Sequence, residues 1–273
     1  MTTTTTQGTA LITGASTGIG AIYADRLAKR GYDLILVARN QDRLATLAAR
    51  LRHETGRAVT TVVADLTATA DLAEVEAILR TNPRIALLVN NAGVAATTPL
   101  LGSDVDQMDA MIRLNVRALT RLTYAVAPRL VARGGGTIIN IASVVALAPE
   151  LLNGVYAAGK AFVLAFSQSL HNELTDKGVR VQAVLPGATA TEIWERAGRP
   201  LSSLPAEMVM SADDMVDAAL AGLDQGELVT LPALPDKAEW DAYDAARRAM
   251  APRLSLAQPA ARYGVRPRGS AAA

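Results

Sequence analysis

Thr9-Ala10-Leu11-Ile12-Thr13-Gly14-Ala15-Ser16-Thr17-Gly18-Ile19-Gly20 is a short apolar run that breaks into three glycines and then enters a helix-forming stretch. The run predicts a buried strand, and residues 18–30 predict a helix. Glycines at such a junction permit a tight turn, a close backbone approach and close packing of the helix on the strand. A helix that starts there offers free N–H groups and the positive end of its dipole, a setting that holds phosphate. The spacing is Gly-x-x-x-Gly-x-Gly, not the commoner Gly-x-Gly-x-x-Gly, and a purely structural glycine turn reads the same way.

The alternation continues outward from this stretch. Strands are predicted over 33–38, 58–64, 85–90, 136–142 and 180–185, with helices over 41–54, 69–80, 105–132 and 155–177 between them. Continuous apolar strands separated by helix-period segments imply βαβ units and a parallel sheet covered on both faces. With right-handed crossovers this is a single doubly wound, Rossmann-like α/β domain spanning 1–273, its sheet having about seven strands. Three regions depart from the rhythm. Residues 1–7 are Thr-rich and read as a flexible N-terminus. Residues 189–210 contain Trp194, Gly198, Pro200 and Pro205, so loops or short helices are expected, arranged as a lid over a substrate. Residues 232–273 form a C-terminal extension with one helix at 236–250 and a poorly ordered end from about 262.

Composition narrows the function classes. The net charge is +1, which favours neither nucleic acid nor an anionic membrane. The absence of cysteine removes disulfides, thiolate metal sites and cysteine nucleophiles. His53 and His171 are isolated in the sequence, so no metal site is expected. The uncharged stretch 85–103 is interrupted by Asn90, Asn91, Gly93 and Pro99, and reads as strand and loop instead of a membrane span. The N-terminus has no basic or apolar region of a signal peptide, so the expected location is cytoplasmic.

Two places carry chemistry. Tyr156 and Lys160 are four residues apart on a predicted helix, one turn from each other on one face. An ammonium close to a phenol favours the phenolate and makes the pair an acid/base device. Only four of the 27 basic residues are Lys, so this one is not background composition. The second place is the end of the second strand, Val37-Ala38-Arg39-Asn40. Dinucleotide folds often carry an acid there for a ribose 2′-hydroxyl, whereas an Arg accommodates a 2′-phosphate. Arg39, with Arg43 one turn further on, therefore favours NADP(H) over NAD(H). A solvated Arg at a strand end is the competing reading.

The glycine loop, Asn90-Asn91-Ala92-Gly93, Asn115 in Leu114-Asn115-Val116, Ser143 after a strand, Tyr156/Lys160 and Pro186-Gly187 occur in one order. Together they resemble the short-chain dehydrogenase/reductase family over roughly residues 8–192. The resemblance implies a catalytic set of Asn115, Ser143, Tyr156 and Lys160. Tyr156 would be the acid/base and Ser143 would hold the substrate oxygen. Lys160 would bind the nicotinamide ribose and lower the Tyr156 pKa, and Asn115 would anchor a relay water. It also implies cofactor contacts from Gly14, Ser16, Thr17, Gly18, Ile19 and Gly20. Further contacts would come from Asp65 at adenine, from Asn91 and Gly93, from Pro186, Gly187 and Thr189 around the nicotinamide, and from Thr191 at the pyrophosphate. Many NADP-type members have a basic residue in the glycine loop where this chain has Thr17, so Arg39 carries more of the selectivity.

The resulting expectation is an NADP(H)-dependent oxidoreductase interconverting a hydrophobic ketone or aldehyde and its alcohol. If Val144, Val145, Leu147, Leu151 and Leu152 after Ser143, with Ile193, Trp194, Leu201 and Leu204, line the pocket, the substrate is hydrophobic; the competing reading is that several of them pack in the core. A 3-oxoacyl-thioester reductase is the alternative, with Arg129 and Arg133 as candidates for a basic mouth. A catalytically silent nucleotide-binding sensor is the alternative of another class. Apolar residues on 105–132 (Met108, Met111, Ile112, Leu122) and 155–177 (Phe162, Leu164, Phe166, Leu170) predict a homodimer or homotetramer, since family members commonly pair these two helices.

Overall fold

In the computed structural model, which describes residues 6–265, six of the apolar runs become parallel strands of one sheet. They are β1 (Thr9–Thr13), β2 (Asp33–Ala38), β3 (Val59–Val63), β4 (Ile85–Asn90), β5 (Gly136–Ile141) and β6 (Val179–Val184). The helices between them are α1 (Gly18–Lys29), α2 (Gln41–Thr55), α3 (Thr69–Thr81), α4 (Val105–Ile112), α5 (Leu119–Ala132) and α6 (Gly154–Leu174). Beyond β6 come the short β7 (Ala188–Thr189), α7 (Ile193–Arg196), β8 (Val209–Met210), α8 (Ala212–Asp224), β9 (Val229–Thr230) and α9 (Lys237–Ala249).

The large sheet has seven strands in the order β3-β2-β1-β4-β5-β6-β9. Alternation within β1 shows why both faces need helices. Ala10 and Ile12 join a core with residues of α1, α2 and α8. Leu11 joins the opposite core with residues of α3, α5 and α6. Strand order reverses between β1 and β4, and a doubly wound sheet opens its binding crevice at the carboxyl ends of such a pair.

That junction is tightly tied. Thr13 Oγ1 accepts from the backbone N–H groups of Asn91 and Ala92, both at 3.0 Å. Asn91 Nδ2 donates to the carbonyls of Thr13 at 2.9 Å and Gly14 at 3.2 Å. No room is left for side chains between these segments. A Cβ on Gly20 would overlap the Gly14 carbonyl oxygen and lie 2.6 Å from Asn91 Nδ2.

One finding differs from the sequence reading. The stretch 105–132 is not one α-helix, because residues Arg113–Ala118 form a π-helical segment between α4 and α5. Asn115 lies within it. The chain also divides into two compact units, 1–233 and 234–273. The first holds both sheets and every residue treated below. The second holds α9, where the rings of Trp240 and Tyr243 pack in a tilted arrangement with centroids 5.5 Å apart. The expectations for the first five residues and for those beyond 265 lie outside the described residues. Among the described residues, no helix is long and apolar enough to cross a membrane.

Gly20→Ala is expected to lower the unfolding free energy by about 1–3 kcal/mol through overpacking. Gly154→Ala meets nothing within 4 Å, and should be neutral or stabilising by up to ~1 kcal/mol. Urea unfolding of the two variants checks the contrast.

Candidate active site

At the carboxyl end of β5 the chain leaves the sheet through Ala142 and Ser143. The Ser143 hydroxyl accepts from the Val145 N–H and donates to the Pro186 carbonyl, both at 3.4 Å. This bridges the ends of β5 and β6. The helix that follows starts sharply, because Asn153 caps it by accepting from the N–H groups of Val155 at 2.9 Å and Tyr156 at 3.4 Å. Asn153 Nδ2 also donates to the Thr98 carbonyl at 2.6 Å, fixing α6 to the loop after β4. Sequence reading passed over Asn153, although an Asn before a helix start is an N-cap signal.

In the first turn of α6 Tyr156 is buried, and Lys160 is buried a turn later. Lys160 Nζ donates to the Ile141 carbonyl at 2.8 Å and lies 5.8 Å from the centroid of the Tyr156 ring. Burial lowers the Lys160 pKa to about 8. Burial raises the Tyr156 phenol to about 12, with a hydrogen bond to Ser143 pulling the other way. Burial of the anionic form thus sets the direction for the phenol, opposite to the one expected from a neighbouring ammonium alone.

Asn115 is buried and uses both ends of its amide on one residue. Its Oδ1 accepts from the Val94 N–H at 3.0 Å and its Nδ2 donates to the Val94 carbonyl at 2.8 Å. The side chain pins the strand-like exit from β4, and a Cβ on Gly93 would lie 3.1 Å from Asn115 Oδ1. The π segment gives this helix the wider turn often found at functional sites.

Beside these groups, at the β1/β4 crevice, is a cleft of about 600 Å³. Gly14, Ser16, Thr17, Gly18 and Ile19 of the glycine loop line it, together with Arg39, Asp65, Asn91, Gly93 and Thr191. Gly18 has φ +52, and a Cβ there would lie 3.0 Å from the Thr191 methyl. A bare backbone turn capped by a helix N-terminus is the cradle a pyrophosphate needs. Gly20, Asn115, Ser143, Tyr156, Lys160, Pro186, Gly187 and Thr189 do not line this cleft. Gly20 serves close packing. Asp65 is partly committed to a turn, since its Oδ1 accepts from the Thr67 N–H at 2.9 Å and hydroxyl at 2.7 Å. Its Oδ2 stands 3.9 Å from the exposed Arg39 guanidinium. Thr17 begins α1 without a side-chain capping bond.

Five contacts were not read from the sequence. Arg43 Nη1 donates to both carboxylate oxygens of Glu192, at 2.9 and 3.1 Å. Arg196 pairs with the same carboxylate. The segment 189–210 is held at its ends by the parallel pairing of β7 with β8 and in its middle by Thr97 Oγ1, which donates to the Ala197 carbonyl at 2.7 Å. Its indole, Trp194, donates to the Thr189 carbonyl at 3.0 Å.

The fold and the order of these groups define a dinucleotide-binding α/β protein with a tyrosine–lysine pair. The family model for short chain dehydrogenase matches residues 8–201. The chain belongs to that family. It is 54% identical to the short-chain dehydrogenase from Sphingobium yanoikuyae solved in complex with NADPH, covering 93% of this chain and 98% of that one with a TM-score of 0.90. It is 46% identical to the bulky-bulky ketone specific alcohol dehydrogenase from Comamonas testosteroni, covering 95% of this chain and 99% of that one, with a TM-score of 0.87. A very-long-chain 3-oxoacyl-CoA reductase from Bos taurus is 37% identical over 188 residues, a match that takes in 67% of this chain and 60% of the relative.

Lys160 makes the free protein's stability depend on pH. Its folded pKa of about 8 is below the ordinary value of 10.5. Between those values the unfolded chain binds a proton that the folded chain lacks, so this group makes stability rise with pH across that window. Below it the penalty is constant. Lys160→Met should abolish this component, so the wild-type-minus-variant difference in urea unfolding free energy should rise between about pH 8 and 10.5, and a flat difference would contradict it.

Proposed function

We propose that the protein is an NADP(H)-dependent oxidoreductase that interconverts a hydrophobic ketone bearing two bulky substituents and the corresponding secondary alcohol. The observation that carries this reading is the buried Tyr156/Lys160 pair beside Ser143, at the same edge of the sheet as the glycine-lined cleft. The NADPH complex of one relative and the bulky-bulky ketone specificity named for another support the cofactor and the substrate class.

In this assignment Gly14, Ser16, Thr17, Gly18 and Ile19 hold the pyrophosphate, with Thr191 on its far side. Arg39 holds the 2′-phosphate, and Asp65 borders the adenine. Asn91, Gly93, Pro186, Gly187 and Thr189 frame the nicotinamide. When bound, the nicotinamide supplies or accepts the hydride. The chain does the rest. Ser143 holds the carbonyl oxygen. The Tyr156 phenol is fully protonated at neutral pH, and an alkoxide is far more basic than a phenolate, so it donates its proton to that oxygen. Lys160 is poised near pH 8 to return a proton and to hold the ribose. Asn115 positions Val94 and, through the widened turn, a relay water. Residues 189–210 serve as the lid, and the setting is cytoplasmic.

The thioester reductase reading is weaker. Arg129 Nη1 donates to the Arg80 carbonyl at 3.1 Å and Arg133 Nη1 to the Ile85 carbonyl at 2.8 Å. Both sit at the amino end of β4, opposite the cleft, and build no basic mouth.

For assembly, most of the apolar residues picked out on the two long helices are buried within the chain, including Met108, Met111, Leu122, Leu164 and Leu170. Ile112 and Phe162 stay at the surface. Tyr124 joins them, stacked on Phe166 at 6.4 Å, with Phe162 stacked on Phe166 at 5.6 Å. We assign this aromatic row to pairing with a second copy. Light scattering at micromolar concentration should give a dimer or tetramer, and Tyr124→Glu with Phe162→Glu should shift it toward monomer; a monomeric wild type refutes the assignment.

Tyr156→Phe keeps the ring and removes the acidic proton. Ketone reduction should fall by ~10²–10⁴-fold while NADPH binding survives. Near-normal turnover would end the proposal. Arg39→Ala should weaken NADPH by roughly 10–150-fold, the scale of a charge-assisted contact, with NADH little changed. Equal losses for the two cofactors would count against a 2′-phosphate site at Arg39.

A further inference from the structure

We infer that Glu192 sets cofactor selectivity by competing with the 2′-phosphate of NADP(H) for the Arg43 guanidinium. The inference rests on the NADP(H) reading above and adds a residue that this reading does not use.

Arg43 and Glu192 belong to opposite walls of the cleft, one on the first turn of α2 and the other just ahead of α7. Both line it. Their ion pair, with Nη1 between the two carboxylate oxygens, joins the walls. Arg39, on the same wall as Arg43, has Asp65 as its carboxylate neighbour at 3.9 Å, beyond hydrogen-bond reach. The cleft's charged lining is thus three guanidiniums, Arg39, Arg43 and Arg196, against two carboxylates, Asp65 and Glu192. The hydrogen bond from Arg43 lowers the pKa of the Glu192 carboxyl, so it is an anion at neutral pH.

A guanidinium has five N–H donors in a planar fork, and phosphate is a preferred partner for it. A phosphate dianion placed beside Arg39 meets a second Arg whose charge is already matched by Glu192. It gains full use of Arg43 only by displacing that carboxylate. Displacement is cheap on the carboxylate side. Glu192 is exposed, and Arg196 remains as its partner one helical turn away. A ribose 2′-hydroxyl carries no charge and cannot drive the exchange, so with NADH the Arg43–Glu192 pair stays closed. Because Glu192 begins the segment that runs through α7, the exchange also frees the cleft-side end of that segment from α2.

The test is equilibrium binding of NADPH and NADH, by titration calorimetry, to wild type, Glu192→Gln, Arg43→Ala and the double variant. Melting temperatures serve as the check that each is folded. Glu192→Gln should bind NADPH about two- to fivefold more tightly, the scale of an exposed ion pair, and leave NADH unchanged. In the Arg43→Ala background the gain from Glu192→Gln should vanish, since the two residues act as one unit. Glu192→Ala, which offers no amide to make new bonds, should repeat the result. Unchanged or weaker NADPH binding in both Glu192 variants overturns the inference, as does an equal gain for NADH or a gain that persists without Arg43. A wild type that binds NADH as tightly as NADPH defeats the cofactor reading itself, and is seen before any variant is compared.

Discussion

The hydrogen bond from Lys160 Nζ to the Ile141 carbonyl, at 2.8 Å, is the constraint around which the site is built. A buried ammonium needs a partner, and the last carbonyl of β5 is the one it has. That contact ties α6 to the carboxyl end of β5. Tyr156 then falls one turn earlier on the same face, and Ser143 lies two residues beyond Ile141 on the chain leaving β5. Three groups of different chemistry are brought together by one strand end and one helix. The Asn153 cap and its bond to Thr98 hold the start of that helix, so Tyr156 sits in the first turn of a helix anchored at both ends of the pair.

The cleft has a separate origin in the sheet. Strand order reverses between β1 and β4, and the two chains leaving them are laced by Thr13 and Asn91. Glycine is required at position 20 because backbone and the Asn91 amide occupy the space a side chain would take. The resulting crevice opens at the same carboxyl edge as Lys160. A long ligand can lie across the β1 and β2 ends and extend toward β5, as a dinucleotide reduced or oxidised at one end requires.

Much of this was legible in the chain because it depends on local pattern. Apolar runs of five or six residues, bounded by glycine or asparagine, give strands whatever surrounds them, and β1, β2 and β4 fall where their runs do. The glycine loop and the Tyr156/Lys160 spacing are likewise local. What escaped depends on contacts between distant segments. Leu114 and Val116 fit an α-helix as well as a π turn, so the widening at Asn115 has no compositional mark. Arg129 and Arg133 look available to any face, and only the fold sends them to the amino end of β4. Met108 and Leu164 read as a helix stripe that could meet a partner, yet the chain buries them itself. The Arg43–Glu192 pair joins residues 149 apart in sequence, and nothing near either one announces the other.

The central claim is that this site, when it holds NADPH, reduces a hindered ketone by hydride transfer from nicotinamide C4. The most direct measurement uses NADPH carrying deuterium at nicotinamide C4 and a ketone with two aryl substituents, with the product examined by mass spectrometry. The account predicts one deuterium on the carbinol carbon with wild-type protein, for one of the two C4-labelled diastereomers. An alcohol formed without label from either diastereomer, or no alcohol from any bulky ketone tried, would contradict it.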